Sequence, residues 1–114
     1  MSQPVVDANA FAELKELMGD DFKDIVSMCL QSLPEQLKQI ENAIQTQNAD
    51  TLFTVSHKMK SSCGSIGAFG LAERAEAVEI ISRSGSTEIP EQVLDELRDA
   101  TGQVISILNL ELNT

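Results

Sequence analysis

The chain has no Trp and no Tyr, and only four Phe among its 114 residues. Leu, Ile, Val, Ala, Glu and Gln dominate instead, so the composition favours helices over strands. No apolar run approaches the roughly 20 residues that span a bilayer, which excludes a membrane helix. The opening Met1-Ser2-Gln3-Pro4 lacks a basic region followed by an apolar stretch, so no signal peptide is expected. There are two cysteines, Cys29 and Cys63, both on apolar helical stripes, where reduced buried thiols are expected rather than a disulfide or a metal pair. Together these absences suggest a bacterial-type cytoplasmic protein.

Basic residues are also scarce: eight against eighteen acidic, for a formal charge of −10. DNA, RNA and anionic membrane surfaces would be repelled. The sequence shows no Gly-rich phosphate loop, no zinc-ligand spacing and no haem attachment motif. A single histidine, with no ligand partner at helical spacing, speaks against a metal or haem bundle, and no metal is expected.

What is present is helical periodicity along nearly the whole chain. Hydrophobic residues make up 42%, enough for one folded domain, expected over 1–114 with an ordered core at about 7–112. Phe11, Leu14, Leu17 and Met18 form a stripe in a short first helix from Asp7 to Met18, with Asp7 as its cap. Gly19-Asp20-Asp21 interrupts it. Phe22, Ile25, Val26, Cys29, Leu30 and Leu33 then lead past Pro34 to Leu37, Ile40, Ala43 and Ile44. No loop composition follows Pro34, so one kinked helix is expected rather than two.

The next helix, about Ala49 to Ser65, starts from Asn48 or Asp50. Gly67 and Gly70 bracket a short turn. A helix from about Ala68 to Arg83 follows, with Leu71, Ala75, Val78 and Ile81 inward. After a polar loop, Pro90 suits the first turn of a last helix whose stripe is Val93, Leu97, Ala100/Thr101, Val104, Leu108 and Leu112. The resulting fold is all-α: an antiparallel four-helix bundle with an additional short N-terminal helix.

The chemistry concentrates in the helix from Ala49 to Ser65. On a wheel of about 100° per residue, Leu52, Val55, Ser56, Met59, Cys63 and Ile66 gather on one side. His57, Lys60, Ser61 and Gly64 fall opposite, facing solvent. Lys58 and Lys60 place two of the eight basic residues within three positions of His57. Gly64 lies mid-helix, where glycine costs about 1 kcal/mol against alanine, and would clear ground beside the imidazole. A neutral imidazole is a nucleophile near neutral pH, and adjacent lysines attract and compensate an anion. Reversible phosphorylation on a ring nitrogen is the chemistry these residues suit. The other reading is a non-catalytic helical adaptor that binds a signalling partner and does not need His57.

The run His57-Lys58-Met59-Lys60-Ser61-Ser62, with Gly67-Ala68, resembles the signature of the histidine-containing phosphotransfer (HPt) domain family, H-x-(apolar)-K-G-S followed by a Gly-Ala turn. Leu17-Met18-Gly19-Asp20-Asp21-Phe22, Leu33-Pro34-Glu35, and Leu71 with Glu79 are also similar to that family. The resemblance covers about Asp7 to Leu112. It implies a four-helix bundle in which Nε2 of His57 accepts and donates a phosphoryl group. It puts Lys60 at the phosphate and Gly64 in the partner surface; Lys58, as a flanking cation, and Ser61, through its hydroxyl, are further candidate phosphate contacts. Phe53, one turn before His57, is a candidate partner contact. Ser61 departs from the pattern, standing where glycine is usual, and bears on the choice of partner.

The carrier implied has no ATP site and no cofactor of its own. The exchanging aspartate and its Mg²⁺ would belong to receiver domains, one in a hybrid sensor histidine kinase and one in a response regulator. By the same resemblance the chain would act as a free-standing phosphocarrier, and a monomer is the expected state.

Overall fold

Local signals set the helix ends. In a computed structural model, which describes residues 4–114, Asp7 accepts a hydrogen bond from the backbone N–H of Ala10 at 3.0 Å and starts α1, Ala8–Met18. Gly19, at φ +60°, ends it in the left-handed region that glycine enters without strain. Asn48 caps α3, Ala49–Ser65, by accepting from Thr51 N–H at 3.0 Å. Between them α2 runs from Asp21 to Gln45 and continues through Pro34. Pro34 is exposed, so the backbone carbonyl one turn earlier that loses its N–H partner is on the side open to water. α4 spans Phe69–Arg83 and α5 spans Glu91–Leu112, with Pro90 immediately before it.

Among the described residues there are five helices and no strand. α2 packs on α3, α3 on α4, α4 on α5, and α5 back on α2, which closes a four-helix ring. The α3–α4 contact is the most extensive. α1 packs against α2 and is tied to α5 by an ion pair between Lys15 and Glu111 at 2.7 Å. Inside the ring, Phe22, Leu33 and Ile40 of α2 meet Leu52 and Met59 of α3, Leu71 and Val78 of α4, and Leu97 and Leu108 of α5. The buried hydroxyls turn back on their own helices: Ser56 donates to the Leu52 carbonyl at 2.7 Å and Thr101 to that of Leu97 at 2.7 Å.

The departures from the periodic reading have geometric causes. Leu17 is 84% exposed, because α1 rests on the bundle along one narrow line that Phe11, Leu14 and Met18 already fill. In α4 the inward arc comprises Leu71, Ala75, Val78, Glu79 and Ser82, while Ile81 lies at its edge, half-buried. Gly70 belongs to the first turn of α4 rather than to the preceding bend. Leu94 is buried in α5 beside the half-buried Val93. The residues read for a signal peptide, Met1 to Gln3, lie outside the described ones.

Gly67 carries the turn between α3 and α4 at φ +78°. A Cβ there would stand 3.1 Å from Cβ of Ala10 and 3.3 Å from N of Phe11, and the Gly67 carbonyl accepts from Asp7 N–H at 2.8 Å. The turn is therefore also the seat of α1. Gly67→Ala should destabilise the fold by about 1–2 kcal/mol from the left-handed backbone alone, plus the displacement of α1. Chemical denaturation would measure the loss, and hydrogen exchange should show α1 released before the bundle opens.

Candidate functional site

The two helices with the largest shared surface carry the site between them. His57 projects from the middle of α3, its side chain 54% exposed. Twenty-two residues on, Glu79 sits on the inner arc of α4 with its side chain only 2% exposed. The two meet: Nδ1 of His57 is 2.5 Å from Oε2 of Glu79. The other carboxylate oxygen, Oε1, accepts from Nζ of Lys60 at 2.6 Å. Arg83 approaches the same oxygen at 3.9 Å, and Lys60 also lies 3.6 Å from Oε2 of Glu76. Phe53, half-buried one turn before His57, stacks on the imidazole with ring centroids 6.0 Å apart and planes at 16°.

Burial alone would push the Glu79 carboxyl upward. The Lys60 hydrogen bond, helped by that from His57, outweighs it and holds Glu79 below the usual carboxylate range. Lys60 is raised in return, chiefly by its hydrogen bond to Glu79 and secondarily by Glu76. Glu79 is therefore an anion at neutral pH, and an ionised carboxylate only accepts. Nδ1 of His57 must then carry the proton it shares with Glu79. In the neutral ring this leaves the Nε2 lone pair free on the edge away from Glu79, toward solvent. The local arrangement is a nucleophilic nitrogen, a carboxylate that orients the ring and supports positive charge on it, an aromatic face that limits ring rotation, and an ammonium one turn away.

The residues singled out on α3 divide into two groups. Phe53, His57 and Lys60 come together. Lys58 is exposed, without an ion pair among the described residues; Ser61 is exposed and makes no hydrogen bond to the ring, whose Nδ1 is engaged by Glu79. Gly64 is exposed too, and a Cβ there would meet nothing within 4 Å. No packing inside the chain requires that glycine, which leaves an open surface two turns beyond His57. Lys60 is less free than the wheel suggests: it leans on α4, with its side chain 30% exposed.

In the sequence Glu79 stands out only through the family likeness, not as a site residue, and Glu76 carries no signal of its own. The available signal is a carboxylate about 40° from Ala75 on a wheel of about 100° per residue, at the edge of the apolar stripe of α4, since a buried charge needs a partner. Among the described residues, no group of three or more His, Cys, Asp or Glu is placed to hold a metal ion. Cys29 and Cys63 are buried free thiols; burial, with a smaller contribution from Cys29, pushes Cys63 up to about 12, so it is inert as a nucleophile.

The Hpt domain family model matches residues 24–107, a segment that contains every residue of this cluster. The chain belongs to the Hpt domain family. This Hpt domain superposes on histidine-containing phosphotransfer protein B (HptB) of Pseudomonas aeruginosa PAO1 with a TM-score of 0.88, at 22% identity, covering 98% of this chain and 97% of that one. The HPT domain of a sensor hybrid histidine kinase from Shewanella gives 0.79 at 19% identity, over 96% and 94% of the two chains. Those likenesses establish the bundle fold. In sequence, the Hpt domain is 29% identical over 119 residues to the signal transduction histidine-protein kinase BarA of Shigella flexneri and of Escherichia coli K12. The match takes in 95% of this chain but spans only 13% of the length of those kinases.

Proposed function

We propose that this Hpt domain is a phosphorelay intermediate of two-component signalling: His57 accepts a phosphoryl group from a receiver-domain aspartate and passes it to another receiver. The observation that carries this reading is the His57–Glu79 contact, which fixes the proton on Nδ1 and leaves Nε2 as the free nucleophile. In the forward step Nε2 attacks phosphorus, the Nε2–P bond forms, the aspartyl O–P bond breaks, and the aspartate leaves as a carboxylate. No proton needs to move. The ring becomes cationic, and Glu79, already against Nδ1–H, stabilises that charge. The cationic ring is in turn a good leaving group for the next transfer, so the same contact serves both directions.

Lys60 is the residue placed to compensate the phosphoryl oxygens, with Lys58 and Ser61 at its margin. The Mg²⁺ for aspartyl chemistry is assigned to the receiver, and ATP to an upstream kinase, so the domain is a carrier with no catalysis of its own. The partners on this reading are the receivers of a hybrid sensor histidine kinase and of a response regulator. Their docking is transient and modest in area, with Phe53 and the open ground at Gly64 in the contact. On this reading the carrier meets its receivers as a monomer in the cytoplasm; no helix of the described residues is long and apolar enough to cross a membrane.

Incubation with a panel of phosphorylated, radiolabelled receivers tests the proposal. At least one should transfer label to the chain, in an acid-labile and alkali-stable form. A panel that leaves the chain unlabelled, or a label that survives acid, overturns it. Lys60→Ala should slow the transfer by about 10- to 100-fold, as expected for one charge-assisted contact to the transferring group. Cooperative unfolding should persist, because Lys60 lies at the margin of the core; its loss would contradict a surface role.

A further inference from the structure

Glu76 has a single and loose partner in the cluster. It lies on α4 one turn before Glu79, with its side chain 51% exposed, and its Oε2 is 3.6 Å from Nζ of Lys60. Glu79 is committed on both oxygens, to His57 and to Lys60 at 2.6 Å. The Lys60 ammonium therefore rests between two carboxylates of α4, one held tightly and one loosely. A phosphoryl group on Nε2 brings up to about two negative charges beside it. Something must yield for Lys60 to turn toward that group. Parting from Glu79 would leave a carboxylate oxygen in a buried side chain without its ammonium, whereas Glu76 is half in water and makes the longer contact.

We propose that Glu76 is a positioning residue that acts through Lys60: it draws the ammonium back toward α4, competes with the phosphoryl group for it, and so keeps His57 from holding the phosphoryl group too tightly. This rests on the phosphorelay reading and adds to it what sets the balance between holding and releasing. When the phosphoryl group arrives, its oxygens take the share of Lys60 that Glu76 held, and Glu76 is hydrated. When it leaves, Glu76 reclaims the ammonium. A carrier needs such a competitor, because a lysine with no alternative partner would favour the loaded state. The cavity of about 400 Å³ that Lys60 and Glu76 line with Phe69, Ala72 and Glu73 gives both side chains room to move.

The test uses phosphoramidate as the donor and no receiver. The donor P–N bond breaks, the P–Nε2 bond forms, and ammonia leaves. At fixed phosphoramidate and ammonium, ³¹P NMR reads the ratio of phosphorylated to free chain and the pH at which the bound phosphoryl group titrates. Glu76→Gln should raise that ratio by about 3- to 5-fold, the effect of one partly exposed ion pair, and move the phosphoryl titration to lower pH. Glu76→Asp should restore both toward the wild type. In a Lys60→Ala background Glu76→Gln should change the ratio little, since the effect passes through Lys60.

An unchanged ratio in Glu76→Gln overturns the proposal while leaving the phosphorelay reading intact. So does an equal change in the Lys60→Ala background, which would reduce Glu76 to a general negative field. If the wild type takes no phosphoryl group at His57 from phosphoramidate, the phosphorelay reading falls and this proposal with it.

Discussion

His57→Gln is expected to abolish label transfer from every receiver that labels the wild type, with the thermal unfolding midpoint almost unmoved. Glutamine has no nitrogen lone pair able to attack phosphorus, because its amide nitrogen is conjugated with the carbonyl. The loss should therefore be complete rather than graded. The fold should tolerate the change, since more than half of the His57 side chain is in water and its loss opens no core cavity. Surface substitutions of that kind usually shift stability by less than about 0.5 kcal/mol. Label transfer measured beside thermal denaturation separates the two effects. Equal labelling of the variant would remove His57 as the acceptor. Unlabelled wild type that still bound a receiver, with His57→Gln binding equally well, would instead favour an adaptor.

The second large effect is a split between stability and activity at Glu79. Glu79→Leu should lower the transfer rate by on the order of 10- to 100-fold, by analogy with the loss of a carboxylate that orients a metal-binding imidazole. The same change should leave the bundle as stable as before, or more so. A buried carboxylate is costly to dehydrate, and replacing buried ionic groups with apolar residues of similar volume is often neutral, or stabilising by about 1–4 kcal/mol. The partners left behind, His57 and Lys60, both reach solvent and can be hydrated.

The pH dependence offers a separate check on Glu79. Its pKa is lowered by folding, so its contribution to stability is fully present above the unfolded-state value of an ordinary glutamate. It is lost as pH falls through the lower folded-state value. The wild type should therefore lose stability on acidification more steeply than Glu79→Leu does. Urea midpoints measured from neutral pH down to about pH 3, spanning the ordinary glutamate value of about 4.3, would show the wild type falling progressively below the variant. A variant that fails to fold at neutral pH would instead assign Glu79 to the architecture rather than to the chemistry.

Much of the bundle could be read from spacing because helices announce themselves locally. Asp7 and Asn48 are caps whose partners lie three residues on, and α2 survives Pro34 because its apolar stripe continues on both sides. Leu17 was misplaced for the complementary reason. A stripe says which residues can face a neighbour, but not how much neighbour there is, and the bundle covers only one narrow side of α1.

The site divides in the same way. Phe53, His57 and Lys60 are turns of one helix, so their common side follows from the helical repeat. Glu79 and Glu76 reach the site across an interhelical contact, which no repeat within α3 encodes. Gly64 stood between the two cases. Its position was evident, but only the empty space around its Cβ position rules out an internal packing reason for it.

The order of the residues thus determined by itself the helical class, the four-helix arrangement and the placing of the single histidine opposite the apolar stripe of its helix. These depend on periodicity and on residue chemistry, which are local. The packing of α3 on α4 decided which nitrogen of His57 is free, that its orienting carboxylate is ionised, and that Lys60 is shared between two acids. Those properties depend on distances of a few ångströms between groups some twenty residues apart, and on the exclusion of water around Glu79, so they exist only once the bundle has closed.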